Sequence, residues 1–186
     1  MQMNEVLKAI KSRRSIRKYR PEQIKQEELE MIIEAGIYAP SGHNTQPWHF
    51  TVIQDRKVIE HINDVSKKVM ATIEIEWIRD MGLNPDLDIT YRAPTLIIVS
   101  GKKDVPSSKI DCCAAVENML IAAESLDIGS VWLGFAIFGF RIEGEAEKIN
   151  IPEGYEPYYA FVLGYKDQDS QPAGPKRNYD VVSYIR

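Results

Sequence analysis

The sequence predicts a layered sandwich of the α+β or α/β kind, and three observations carry that prediction. Segments with apolar residues at helical spacing alternate with shorter runs that are apolar almost throughout. The chain has 186 residues and a mass of 21.2 kDa, which suits one domain, expected to span residues 1–186. Hydrophobic residues at 44% and charged residues at 27% match an ordinary globular chain, so both faces of a sheet can be covered.

The elements follow in order. Met3, Val6, Leu7 and Ile10 stand at helical spacing and predict a first helix over residues 2–12. Leu29, Ile32, Ile33, Gly36 and Ile37 repeat the pattern over residues 27–38, and Pro40 ends it. Residues 49–53 read as a short strand and residues 56–70 as a charged helix. Residues 71–91 carry Trp77, Met81 and Tyr91 but are broken by Gly82 and Pro85, and are expected to form a partly helical, mobile cover. After Pro94, residues 95–100 form an apolar strand of the doubly covered type.

Residues 110–126 form a second apolar segment, this one at helix length. Glu117 and Asn118 are the only strongly polar residues between Cys112 and Ala123, so such a helix must be buried on all sides. Beside one sheet in a small domain, the cover comes from a second subunit or from another helix of the same chain. The first is the economical choice, and it predicts a dimer. A strand at residues 129–135, a short helix at 143–149 and a strand at 157–165 complete the fold. In the tail, residues 166–186, Pro172 and Pro175 precede Lys176 and Arg177, and Val181, Val182 and Ile185 could add an edge strand or clasp a neighbouring subunit.

Charge narrows the function. A net charge of −4 and a pI of about 5.5 argue against nucleic acid or an anionic membrane as a partner of the whole surface. Arg13, Arg14, Arg17, Lys18 and Arg20 nevertheless concentrate five positive charges in eight residues, which fits a local site for a small anion. The charged start of the chain lacks the apolar core of a signal peptide, and the longest nearly apolar run, residues 131–140, is too short to span a bilayer; a cytoplasmic location is expected. Cys112 and Cys113 are adjacent in a helical pattern, as reduced packed thiols would be, and no set of residues has metal-ligand spacing.

The stretch A-P-S-G-H-N-T-Q-P-W-H-F at residues 39–50 is unusual for a connector. Its prolines and glycine enforce irregular backbone, while Ser41, Asn44 and Gln46 add donors and acceptors that suit a flat polar heterocycle. The same composition also suits a loop that satisfies its own polar groups. Dinucleotide-fold, P-loop and nucleophile-elbow motifs are all missing, which leaves the basic cluster, with Ser15 beside it, as the other chemical signal. Arginine forks match phosphate oxygens in pairs, although a run of charges at a helix end also complements the helix dipole.

R-R-S-I-R-K-Y at residues 13–19, A-P-S-G-H-N-T-Q-P-W-H-F, and D-I-G-S-V-W-L-G at residues 127–134 occur in an order that resembles the nitroreductase family of FMN-dependent oxidoreductases. The likeness extends through I-P-E-G-Y-E-P-Y-Y-A-F-V-L-G-Y to the basic tail. It implies a three-layer sandwich with a central mixed sheet, intertwined as a homodimer with FMN at the interface. It also implies ping-pong transfer of electrons from NAD(P)H through flavin N5 to nitroaromatic or quinone-like acceptors, with no catalytic side chain of the protein's own. By motif position, Arg13, Arg14, Ser15 and Arg17 would hold the FMN phosphate, ribityl chain and pyrimidine edge, and Lys176 and Arg177 would close on the phosphate. Pro40, Ser41, Asn44 and Gln46 would reach the isoalloxazine from the partner subunit, and Gly129, Ser130, Leu133 and Gly134 would lie along the ring. Two other readings keep the flavin: reductive dehalogenation or flavin fragmentation on this fold, and a redox sensor or storage protein with slow turnover.

Overall fold

The structure is a computed structural model and describes residues 3–168 and 172–186. Helix α1 (Glu5–Ser12) starts where Asn4 accepts the Leu7 N–H at 2.9 Å, and helix α2 is Gln26–Ile37. Strand β1 (Trp48–Ile53) leads into helix α3 (Arg56–Met70), whose first amides, Lys57 and Val58, donate to Asp55 at 2.8 and 3.3 Å. Helix α4 is Glu76–Leu83, strand β2 Thr95–Lys102, helix α5 Ser108–Ser125, strand β3 Ile128–Leu133 and strand β4 Tyr155–Tyr165. The expected cover over residues 71–91 is therefore helical only in α4.

The strands lie in the order β1-β2-β4-β3, and every neighbouring pair is antiparallel. Among the described residues, the mixed character expected of the sheet comes down to one parallel bridge, from Ser15 to Ser130 on the outer edge of β3. Strand alternation sends Leu96, Ile98, Val131, Leu133, Ala160 and Val162 toward α3 and α4. The alternate residues Ile97, Val99, Ile128, Phe161 and Leu163 meet Leu29 and Ile32 of α2 and Cys112, Val116, Met119, Leu120 and Ala123 of α5. Two apolar faces on one sheet produce the three layers that the apolar strands predicted.

Two expectations change. Residues 143–149 are not a helix: the β3–β4 connection instead has 3₁₀ turns at Phe138–Arg141 and Glu147–Ile149. Left-handed backbone at Gly144 (φ 84°) and Asn150 (φ 58°) breaks any longer helix, and the Ser66 hydroxyl pins the connection by donating to Ala136 O (2.9 Å) and accepting from Gly139 N–H (3.0 Å). Among the described residues the tail adds no edge strand; over residues 172–186 it has no regular structure, and Val181, Val182 and Ile185 are exposed. Helix α5 is covered on part of its surface by α2 and α1 of the same chain, while Ile110 stays exposed in the single chain.

Candidate functional site

After α1 the chain runs extended along β3. Ile16 donates its N–H to Ser130 O at 3.0 Å and buries its side chain, while Tyr19 bridges to Lys166. Burial drives the Tyr19 hydroxyl far above the ordinary phenol range, and it donates to Ile16 O. Anchored residues thus alternate with outward-facing ones. Arg13, Arg14, Ser15 and Arg17 line a cavity of ≈ 350 Å³ that the tail closes with Pro172, Ala173, Pro175 and Arg177. Lys176 is adjacent in sequence but does not line it.

Among the described residues no carboxylate lines this cavity and none of its four arginines forms an ion pair. The arginines differ in their commitments. Arg14 Nη1 closes the end of α1 by donating to the carbonyls of Lys11, Ser12 and Arg13 at 2.7, 3.0 and 2.8 Å. Arg17 Nε donates to the Tyr91 hydroxyl and Nη1 to Ser15 O, both at 3.3 Å, and the guanidinium stands 5.7 Å from the Tyr91 ring centre. Among the described residues, the side chains of Arg13 and Arg177 make no hydrogen bond. Uncompensated positive charge of this kind favours a multiply charged anion such as a phosphate.

β3 is the edge strand beside this cavity. Gly129 and Ser130 are buried; a Cβ on Gly129 would come within 2.9 Å of Ile16 Cγ2, and Leu133 packs into the α3 layer. Their side-chain positions therefore support the arginine arm or the core. What remains for a ligand is the backbone: the N–H and C=O of Trp132 face the same open edge as Ser130 O, and Gly134 beyond it has no atom within 4 Å of where a Cβ would stand.

The 39–47 loop lies elsewhere. His43, Asn44 and Gln46 all take left-handed backbone (φ 52°, 56° and 45°). Inside the loop, Gln46 N–H donates to Ser41 Oγ (3.0 Å) and Gln46 Nε2 to Asn44 Oδ1 (3.1 Å), while Pro40 is exposed. Gly42 N–H donates to Asp111 Oδ1, which fixes the loop at the start of α5. Arg14 instead borders Glu124 and Asp127 at the other end of that helix. Between Asp111 and Glu124, α5 rises roughly 20 Å. One chain thus brings together Arg13, Arg14, Ser15, Arg17 and Arg177 beside Gly129, Ser130, Leu133 and Gly134, and holds Pro40, Ser41, Asn44 and Gln46 apart from them. Sequence reasoning missed Tyr91, hidden in a segment with little pattern, and Asp111, whose one signal is an acid in the first turn of an otherwise apolar helix.

Fold and candidate site define a class: a three-layer sandwich with an arginine-lined anion cavity beside an open sheet edge. The chain belongs to the Nitroreductase family, whose model matches residues 10–165. An Archaeoglobus fulgidus protein provisionally named NADH dehydrogenase/NAD(P)H nitroreductase is 36% identical over 182 residues, covering 97% of each chain. A Bacteroides fragilis nitroreductase solved with bound FMN superposes with a TM-score of 0.91 at 33% identity, covering 99% of this chain and 100% of that one. An iodotyrosine deiodinase of Thermotoga neapolitana is 30% identical over 182 residues, 94% of each chain. Among the described residues no helix is long and apolar enough to cross a membrane.

Proposed function

We propose that the protein is an FMN-dependent oxidoreductase that takes electrons from NAD(P)H and delivers them to nitroaromatic or quinone-like acceptors. The observation that carries this reading is the arginine cavity, with no carboxylate among its described lining residues, set beside an open β-edge. Arg13, Arg17 and Arg177 suit the FMN phosphate, with Ser15 adding a hydroxyl and Arg14 framing the cavity through its uncommitted nitrogens. The Trp132–Gly134 edge offers backbone groups to the heterocycle. FMN, when bound, supplies the hydride acceptor at N5 and the route for electrons to the second substrate. The protein binds, orients and sets the local charge.

A complete site then needs two copies of the chain, because the loop with Pro40, Ser41, Asn44 and Gln46 lies too far from the arginines of its own chain. Supporting this, Val6, Leu7 and Ile10 of α1, Met31 and Ile37 of α2, and Ile110 of α5 are exposed, and Val6 and Met31 line one groove with Ile121 and Leu126; contiguous apolar surface of this kind marks an interaction site. The apolar tail residues Val181, Val182 and Ile185 suit an arm that clasps the second copy.

The test is the absorption spectrum of the purified protein, taken anaerobically before and after NADH or NADPH. A flavin band that bleaches and recovers on adding a nitroaromatic or a quinone is expected. A band that does not bleach refutes the reductase reading and favours a sensor, and no flavin even after adding FMN refutes the cofactor. Reductive dehalogenation is a second reading, favoured by the deiodinase relative. Iodide release from iodotyrosine by the reduced protein, without recovery by nitroaromatics, would select it.

A further inference from the structure

We propose that Asp111 is a positioning residue for the flavin: it holds the 41–46 loop in the conformation that meets the isoalloxazine ring. The inference rests on the FMN reading above. Three independent features of the loop lead to it.

The first is confinement. The Asp111 side chain is buried at the start of α5, where the helix dipole favours a carboxylate. Its Oδ1 accepts the Gly42 N–H at 3.1 Å and its Oδ2 accepts the Ser107 hydroxyl at 2.8 Å. Among the described residues, the Gly42–Asp111 bond is the only hydrogen bond from residues 40–46 to the rest of the protein; the others close within the loop, from Asn44 N–H to Ser41 O, Thr45 N–H to Gly42 O and Gln46 to Ser41 and Asn44.

The second is close approach. A Cβ on Gly42 would stand 2.7 Å from Ser107 Oγ and 3.1 Å from Ser107 Cβ, so the loop backbone lies directly against the hydroxyl that Asp111 holds. Any side chain at residue 42 would force Ser107 to shift.

The third is conformation. His43, Asn44 and Gln46 all have positive φ; histidine and asparagine enter this region more readily than most residues, but glutamine keeps it only where its surroundings impose it. The residues in left-handed backbone include Asn44 and Gln46, two of the polar groups meant for the ring. A charge-assisted bond to the Gly42 amide, at the head of this run, is the constraint that imposes it from outside. Cutting that bond frees the loop without touching any group that meets the cofactor.

The test uses Asp111→Ala and Asp111→Asn in the full-length protein. Asparagine keeps an oxygen for the Gly42 amide and can donate to the Ser107 hydroxyl, so it should preserve the latch. D111A is expected to raise the FMN dissociation constant about tenfold, as for loss of a hydrogen bond to a charged group, while D111N stays within about threefold of wild type. At saturating FMN, D111A should also alter the visible circular dichroism of the flavin, a readout that a purely structural defect leaves unchanged. If D111A does not fold, Gly42→Ala carries the test, since its methyl drives the Ser107 hydroxyl from Asp111 and should produce the same two changes.

Unchanged FMN affinity and dichroism in D111A or G42A would overturn the proposal, as would a D111N variant as impaired as D111A. Wild-type protein that takes up no FMN would instead defeat the cofactor reading, and the proposal with it; faster amide exchange at residues 41–46 in D111A would then show that the latch itself exists.

Discussion

Arg13 and Arg14 are neighbours in sequence with different tasks. Arg14 spends one nitrogen on the carbonyls that end α1, whereas Arg13 lines the cavity with no other partner among the described residues. Arg13→Ala should therefore weaken FMN binding by about 1.5–3 kcal/mol, roughly 10- to 150-fold in the dissociation constant, with little change in the thermal midpoint of the apoprotein. Fluorescence titration of the apoprotein with FMN measures it, and an unchanged affinity removes Arg13 from the site. The arginine cluster was legible in the sequence because its charges fall within eight residues of the chain. Asp111 was not, because an acid in the first turn of a helix reads the same whether it only complements the dipole or also holds a loop seventy residues away.

At the scale of elements, the connection from β3 to β4 is held to α3 by a buried carboxylate. Glu145 meets Lys148 Nζ at 2.7 Å and His61 Nε2 at 2.6 Å, and these partners, Lys148 foremost, hold its carboxyl below its ordinary value of 4.5. A carboxylate depressed on folding stabilises the protein above the unfolded value and loses that contribution as pH falls through the folded one. Glu145→Gln should accordingly lower the thermal midpoint at pH 7 by a few degrees, and the gap to wild type should close as the pH is taken below about 4.5. Equal midpoints at pH 7, or a gap that widens in acid, would contradict it. The partners are half exposed, which keeps the effect small. This connection was also where the sequence misled: the residues after Glu143 have helical composition, but Ser66 and the left-handed Gly144 and Asn150 impose tight turns.

For the whole molecule, the exposed apolar side chains of α1, α2 and α5 and the length of α5 lead to one expectation. At micromolar concentration light scattering should report twice the chain mass of 21.2 kDa. Val6→Glu adds a charge where a lone chain is 62% exposed, so a monomer would tolerate it. A dimer would not, and the variant should become monomeric and lose its flavin together. A monomeric wild-type protein that still retains FMN would overturn the two-copy site.

By itself the sequence determined the layers and most of the elements, down to the limits of α3, because helical and strand periodicities are local and both faces of the sheet had to be apolar. It also determined the family, through motifs contiguous in the chain, and with it the arginine arm and the polar loop as candidates. Only the tertiary structure decided which candidates meet. Strand order puts β3 at an edge and lays the arginines along it, whereas the span of α5 separates the same chain's loop from them. The carboxylate that fixes the loop, and the tyrosine that meets Arg17, were likewise decided there, since each contact joins residues some seventy positions apart and no local pattern encodes it.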